Sequence, residues 1–406
     1  MNREEPPEMK KAALDQWVRE QENCGELGQR EIRQIQLRKL NALLKREKSR
    51  QGFYRNLPEH LDSLEQLAEL PLTAEEDLKR SGNGMVMVSQ SAVERVRTQE
   101  TSGTTGPAKR VFYTAGDNER TVSFFAAGLS ELIHPGSRTM ICMPFSGDRG
   151  LGELIAEAVT RLGAEPLPGG WDRTFGEFLE LLEKEQPDTF VGPPVLLLSL
   201  LRLQPESSLK RALVSGDACP AGVMAEIEKL LGSRLYPHYG SREMGLGGAV
   251  TCPAFAGMHL RENDILAEIL DEGGRPLPPG EWGELVITTL EAEAMPLIRY
   301  RTGDRTRFLP DLCPCGSSLA RLDTVHRKDP GSRMEDLDDL LFRHPEVVDY
   351  QAFLEKDRLR IRGVVTGETE NLPEHWRGTA LDYQWKQISR EDRPCSRGKR
   401  GIRTER

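Results

Sequence analysis

Hydrophobic and polar positions along the 406-residue chain fall into successive textures, each predicting different elements. Over residues 10–50, Ile32, Ile35, Leu40, Leu43 and Leu44 form one apolar stripe opposite many Arg, Lys and Gln, a helical pattern with a solvated face. Thr73, with Glu76 three residues on, reads as the cap of a further helix. From about residue 93, short apolar runs alternate with helix-period stretches. Strands are predicted at 93–98, 111–114, 139–143, 189–191 and 209–214, and helices at 117–134, 151–162, 195–203 and 221–231. This alternation predicts an α/β fold, a mostly parallel sheet flanked by helices. Ligands of such folds sit at loops beyond the carboxyl ends of strands, and residues 215–218 and 239–243 fall at such places.

From about residue 255 the texture changes. Strand-like runs at 259–260, 265–270 and 284–289 are separated by the turns Asp271-Glu272-Gly273-Gly274 and Pro278-Pro279-Gly280, which predicts a β-rich subdomain of hairpins. Beyond about 328 a small α+β module is expected, with a helix at 335–344 and strands at 347–353 and 359–365. The tail after Thr366 is polar and weakly patterned. A chain of this length suits two or three domains.

Composition narrows the classes of function. A formal net charge of −9 argues against a dedicated nucleic-acid binder, which needs a basic footprint. No stretch approaches the ~18 uninterrupted apolar residues of a membrane span, and the N-terminus lacks the apolar core of a secretory signal. Seven scattered cysteines suit reduced thiols and a cytoplasmic location better than a disulfide framework.

The candidate chemistry centres on Thr101-Ser102-Gly103-Thr104-Thr105-Gly106-Pro107-Ala108-Lys109, set between two predicted strands. Its glycines allow tight turning and close approach, and its hydroxyls, backbone N–H groups and ammonium suit an oxyanion such as phosphate. The lysine lies three residues past the last glycine with no Ser/Thr following it, so this is not the G-x-x-x-x-G-K-[ST] loop. Taken alone, a Gly/Ser/Thr cluster is more often a flexible surface turn. Tyr239 alone reads as a core aromatic, Glu243 as a helix cap and Asp304 as a turn residue.

Together and in order, these segments resemble the adenylate-forming enzymes, and specifically their phenylacetate–CoA ligase branch. The matching stretches are the 101–109 loop, Ser215-Gly216-Asp217-Ala218, Tyr239-Gly240-Ser241-Arg242-Glu243, Tyr300-Arg301-Thr302-Gly303-Asp304, and the region from Arg327 to Asp329. The resemblance covers about residues 50–365. It implies an N-terminal adenylation domain over 1–326, with mostly parallel sheets plus a β-rich subdomain, and a small, shortened α+β domain over 327–406. It implies attack of a carboxylate on the α-phosphate of ATP, giving an acyl-adenylate and pyrophosphate, then transfer to CoA, with an aromatic or arylacetic acid as the preferred substrate class. Thr101, Ser102, Gly103, Thr104, Thr105 and Gly106 would cradle the phosphates and Lys109 would add a mobile charge. Ser215, Gly216, Asp217 and Ala218 would line the adenine, with Tyr239, Gly240 and Ser241 against it. Glu243 would hold Mg²⁺, a hard ion wanting oxygen ligands. Asp304 would accept from the ribose hydroxyls, with Arg327 as a second ribose or phosphate contact. Phe145, Ser146, Gly147 and residues Gly240 to Gly245 would surround the acyl group. The family's late lysine corresponds to Lys399, in Ser396-Arg397-Gly398-Lys399-Arg400, where a basic tail is the competing reading. Transfer of the acyl group to a carrier protein, and a non-catalytic nucleotide-binding scaffold, are the competing functions; a homodimer is compatible with the family.

Two features stand apart. Cys252, His259, Cys313 and Cys315 make a complete tetrahedral set for structural Zn²⁺, against the alternative of four unrelated residues. The hinge segment is short: Asp329 is followed by Pro330, which stiffens what should swing, and the loop that usually follows is missing. Thioester formation is therefore the step least supported by the resemblance.

Overall fold

The computed structural model describes residues 11–99, 109–327, 331–395 and 399–404. The chain forms two compact units, each built from separated segments: residues 1–131 with 239–325, and residues 132–238 with 326–406.

In the first unit the N-terminal helical pattern resolves into two helices, Ala13–Glu22 and Gln29–Ser49. Asn23, in the left-handed conformation, ends the first. The apolar stripe predicted on the second is buried throughout. The helix near residue 73 starts later than its cap signature suggests. It runs Glu75–Ser81, and the Asp77 carboxylate accepts from the Ala74 N–H at 2.8 Å. Thr73 is engaged elsewhere: its hydroxyl donates to the Ile298 carbonyl at 2.7 Å and meets the Tyr54 hydroxyl at 3.0 Å. A buried tertiary partner has won over a local cap. Strands Arg95–Gln99 and Lys109–Tyr113 pair antiparallel, with Gln99 opposite Lys109. The β-rich subdomain is present as an antiparallel sheet of Ile265–Leu270, Gly283–Thr289 and Tyr300–Thr306. A second antiparallel set comprises Ala249–Thr251, Met258–Leu260 and Arg321–Leu322.

The second unit carries the parallel sheet. Glu165–Pro168, Arg138–Ile141, Thr189–Gly192, Arg211–Val214 and Tyr236–Tyr239 lie side by side in that order, all parallel. The helices Leu151–Arg161, Phe175–Glu185, Pro194–Leu203 and Ala221–Leu231 alternate with them along the chain. The C-terminal segment adds the helix Gly331–Leu341 and a sheet in which Arg358–Val365 pairs with Val347–Glu355 on one side and Thr379–Gln387 on the other. Its core is continuous with that of the parallel-sheet layer: Phe178, Leu197 and Leu200 belong to one buried cluster with Leu337, Phe342 and Tyr350. Among the described residues, no helix is long and apolar enough to cross a membrane.

Candidate active site

The predicted site residues fall into one group in each unit, while Thr101 to Gly106, Lys328, Asp329 and Pro330 lie outside the described residues. In the first unit Lys109 begins the strand that leaves the phosphate-loop candidate, and its Nζ lies 2.5 Å from Glu243 Oε1. Both side chains are about nine-tenths buried. Burial, the largest single influence, would raise the Glu243 carboxyl, but the Lys109 ammonium together with hydrogen bonds from the Glu243 backbone and Ser241 holds the group below its ordinary value.

Glu243 is presented by a single 3₁₀ turn, Arg242–Met244, whose backbone is held from several directions. The Tyr113 hydroxyl donates to the Arg242 carbonyl, Arg261 Nη2 to that of Met244 at 2.5 Å, and the Thr121 hydroxyl to that of Gly245 at 2.9 Å. The chain then reverses so tightly that a Cβ on Gly240 would lie 1.9 Å from the Leu246 carbonyl oxygen. Only glycine fits there. One residue earlier, the Tyr239 hydroxyl donates to Asp304 Oδ2 at 2.7 Å. Burial first, then the Asp304 charge, keeps that phenol protonated far above its ordinary range. Asp304 follows Gly303, whose φ of +74° turns the strand Tyr300–Thr306 so that the Asp304 N–H meets the Thr302 hydroxyl at 3.1 Å. Lys109, Tyr239, Gly240, Ser241, Glu243 and Asp304 are thus collected in one unit from three separated stretches of sequence. A cleft of about 450 Å³ opens against the Glu243 turn, lined among others by Arg120, Arg261 and Glu291; neither Tyr239 nor Asp304 borders it.

In the second unit the adenine-block candidate leaves the carboxyl end of the strand Arg211–Val214. The Ser215 hydroxyl lies 2.8 Å from His238 Nδ1, and Gly216 turns with φ +85°. The buried Asp217 side chain turns toward the C-terminal segment. Its Oδ2 accepts from the Arg400 N–H at 2.6 Å, and its Oδ1 accepts from the Ala218 N–H at 3.0 Å and lies 3.5 Å from Arg327 Nη2. Burial raises its carboxyl above the ordinary value, with Arg327 and then Arg400 opposing. Lys399, exposed, immediately precedes Arg400. Three sequence candidates (Asp217, Arg327 and Lys399) therefore belong to one neighbourhood. Phe145, nearer the start of this unit, lies across Gly152, where a Cβ would come within 2.6 Å of its ring.

The four metal-ligand candidates converge in the first unit, with all four ligand atoms within 4.8 Å of one another and every residue buried. Cys252 Sγ and Cys313 Sγ are 3.7 Å apart, and Cys315 Sγ is 3.5 Å from His259 Nε2. Zinc–sulfur and zinc–nitrogen bonds of about 2.3 and 2.05 Å give tetrahedral edges of about 3.8 and 3.6 Å, so the set fits that ion. His259 Nδ1 lies 3.3 Å from the Leu319 carbonyl, the kind of outer contact that orients a metal-ligating imidazole.

Sequence reasoning did not single out Arg261 or Arg400. Both are buried arginines, Arg261 bracing the Glu243 turn and Arg400 binding the carboxylates of Asp338 and Asp349, and arginine spacing alone carries no signal for either role.

The chain belongs to the family of AMP-binding enzymes, whose pattern matches residues 54–291. Within it, the chain is 31% identical over 318 residues to the phenylacetate–coenzyme A ligase of Aromatoleum evansii, covering 73% of this chain and 70% of that one. It is 30% identical over 319 residues to the enzyme of the same name from Escherichia coli K12, with 73% and 70% coverage. The fold is also that of a 2-hydroxyisobutyryl-CoA ligase solved in its postadenylation state, with a TM-score of 0.75, 21% identity, and 91% and 90% of the two chains covered.

Proposed function

We propose that this chain is an ATP-dependent, AMP-forming carboxylate–CoA ligase acting on an aromatic or arylacetic acid. The observation that carries the reading is the joint placement of Lys109 on Glu243 and Tyr239 on Asp304, within a chain related to phenylacetate–CoA ligases over 73% of its length. In the first half-reaction the substrate carboxylate attacks the α-phosphate of ATP. The acyl-adenylate forms and pyrophosphate leaves. In the second, the CoA thiol attacks the acyl carbon, the carbon–oxygen bond to AMP breaks and the thiol proton is released.

Charge accumulates on the transferring phosphate, so the protein's contribution is chiefly positioning and electrostatic. Thr101 to Gly106 supply hydroxyls and backbone N–H groups to the β- and γ-phosphates, and Thr104 is assigned to the departing pyrophosphate. Glu243 supplies the carboxylate oxygen for Mg²⁺, which would draw electron density from the phosphate oxygens. One carboxylate suits an ion that keeps waters and phosphates as its other ligands. Lys109 is the counter-charge of Glu243 in the absence of that ion. Tyr239 and residues 215–218 receive the adenine. The Tyr239 hydroxyl orients the Asp304 carboxylate toward the ribose hydroxyls, and Arg327 adds a cation. Lys399 meets the substrate carboxylate and α-phosphate during adenylation. Residues 1–326 form the adenylating part and 327–406 the smaller C-terminal part. A supply of ATP and CoA, and cysteines none of which is in a disulfide, suit a cytoplasmic enzyme.

The test is a panel of carboxylic acids with ATP and Mg²⁺, following AMP release with and without CoA. CoA-dependent AMP release with an arylacetic or aryl acid is expected. Pyrophosphate exchange without CoA turnover would redirect the reading to another acyl acceptor, and no turnover with any acid would overturn it. In the same assay Lys399→Ala is expected to abolish acid-dependent pyrophosphate exchange, and unchanged exchange removes Lys399 from the mechanism.

The same chain holds a structural Zn²⁺ at Cys252, His259, Cys313 and Cys315. The reading rests on a buried set of four protein ligands, which leaves no open position for substrate, and on two of its edges, Cys252–Cys313 and Cys315–His259, being of tetrahedral length. Elemental analysis of the purified protein is expected to return one zinc per chain. Its absence from protein produced with zinc in the medium refutes the assignment.

A further inference from the structure

Arg400 is buried to a degree uncommon for a charged side chain. It is 6% exposed, and every one of its polar faces is directed at a partner within the second unit. Its guanidinium forks onto Asp338, with Nη2 2.8 Å from Oδ1 and Nε 3.1 Å from Oδ2, while Nη1 reaches Asp349 Oδ1 at 2.9 Å. The guanidinium carbon lies 4.7 Å from the Tyr350 ring centroid and 5.4 Å from that of Phe342. Its backbone is held as firmly as its side chain. The N–H donates to Asp217 Oδ2 at 2.6 Å, and the carbonyl accepts from Arg327 Nη1 at 3.2 Å.

Stability alone does not call for this arrangement. A buried ion pair is commonly matched or bettered by apolar residues of similar volume, and its best-attested use is to fix register. Here the register fixed is that of the tail. A guanidinium committed to two carboxylates and two rings tolerates little rotation, so the peptide on its N-terminal side is set at Asp217. Lys399 is the residue that this peptide carries, and its side chain is exposed.

We propose that Arg400 is a positioning residue for adenylation: it pins the C-terminal tail to Asp217 in the adenine-block loop and so fixes where Lys399 delivers its charge. The inference rests on the proposed role of Lys399. Arg400 itself touches no substrate. Its effect passes through its neighbour, and this separates it from a residue that merely holds the C-terminal sheet together.

Four variants of the full chain test it: Lys399→Ala, Arg400→Met, Arg400→Lys and the double variant Lys399→Ala/Arg400→Met. Each is measured for melting temperature, for acid-dependent pyrophosphate exchange, and for thioester formation from CoA and chemically prepared acyl-adenylate. Arg400→Met is expected to lower exchange on the order of 100-fold, the scale of an ångström-level misplacement. The KM for ATP and the thioester half-reaction should change little. The double variant should be no worse than Lys399→Ala, because the two residues act as one unit. Arg400→Lys keeps the charge but cannot fork onto two carboxylates, so it should fold and still lose exchange selectively. If Arg400→Met fails to fold, Arg400→Lys decides. Exchange at the wild-type level in the Arg400 variants, equal loss of both half-reactions, or additive losses in the double variant would each overturn the proposal. Lys399→Ala with full exchange would instead bring down the reading beneath it.

Discussion

Lys109 and Glu243 bring opposite charges into a place with little water, and each is tolerable there because of the other. This has a consequence for pH. Glu243 is held below its ordinary value of 4.5 because Lys109 and hydrogen bonds from the Glu243 backbone and Ser241 together outweigh burial. Its contribution to stability is therefore present above that value and lost as pH falls through the lower, folded one. Lys109→Met removes the largest cause opposing burial and leaves only hydrogen bonds from the Glu243 backbone and Ser241 against it. The carboxyl therefore moves up from its wild-type position, and the pH at which this stability is lost moves up with it. We expect the acidic limb of the pyrophosphate-exchange profile to move to higher pH in this variant. The Mg²⁺ concentration for half-maximal exchange should fall as well, because the ion no longer competes with an ammonium. A profile identical to wild type would show that Glu243 does not depend on Lys109. Gly240 makes a steric prediction at the same scale. A methyl group there meets the Leu246 carbonyl at 1.9 Å, so Gly240→Ala must displace the loop that presents Glu243. A loss of about 1–3 kcal/mol on denaturant unfolding is expected, together with slower adenylation. Wild-type values for both would mean that the loop relaxes freely.

At the scale of elements, local signals decide where long-range partners do not intervene. The helix Ala221–Leu231 and the strand Ile265–Leu270 occur with the bounds that periodicity predicts. Thr73 fails as a cap because its hydroxyl has better-buried partners at Ile298 and Tyr54. The strand Thr379–Gln387 is a different case. Its local signal is present, since Leu381, Tyr383 and Trp385 alternate with Asp382, Gln384 and Lys386 and pack on the core, so the expectation of a weakly patterned tail is wrong here. What no local window contains is its parallel register with Arg358–Val365. The site divides in the same way. Lys109, Tyr239, Glu243 and Asp304 stand in stretches whose order is informative, whereas Arg400 lies in an arginine-rich tail where nothing local marks which arginine is buried. The metal-ligand set is legible as residue types, but its convergence depends on antiparallel pairing that puts Arg321 beside His259. The two cysteine-bearing loops meet over a small cluster with Ala12, while Ser317 donates to Asp15 of the first helix at 2.9 Å. Removing zinc should therefore loosen the N-terminal helix as well as the loops. Cys252→Ser, or exhaustive chelation, is expected to lower Tm on the order of 10 °C and to raise hydrogen exchange over Ala13–Glu22. A chelator-treated protein with unchanged Tm and exchange would argue that the thiols pack without a metal.

At the scale of the molecule, sequence order and core membership divide the chain differently. The chain passes from the first compact unit into the second after Val325, and that second unit also takes in residues 132–238. The segment beyond residue 326 does not make a core of its own. The Ser199 hydroxyl donates to the Val348 carbonyl at 2.7 Å, and Arg202 donates to the carbonyls of Val347 and Phe342. Leu197, Leu200 and Leu201 share a buried cluster with Phe342, Val348 and Tyr350. Cutting the chain after Val325 would strip this apolar surface from the helix Pro194–Leu203 and leave those donors without their acceptors. Burial is worth roughly 1.5–3 kcal/mol for each large side chain fully removed from water, so baring several of them is comparable with the roughly 5–15 kcal/mol that ordinarily separates folded from unfolded states. Residues 1–325 expressed alone are expected to aggregate or to bind a hydrophobic dye strongly. Residues 326–406 alone should lack a cooperative thermal transition, and co-expression of the two pieces should recover soluble material. A monomeric 1–325 fragment with a sharp transition near that of the whole chain would show instead that the two segments are independent, and that Ser199 and Arg202 sit at an interface built to open.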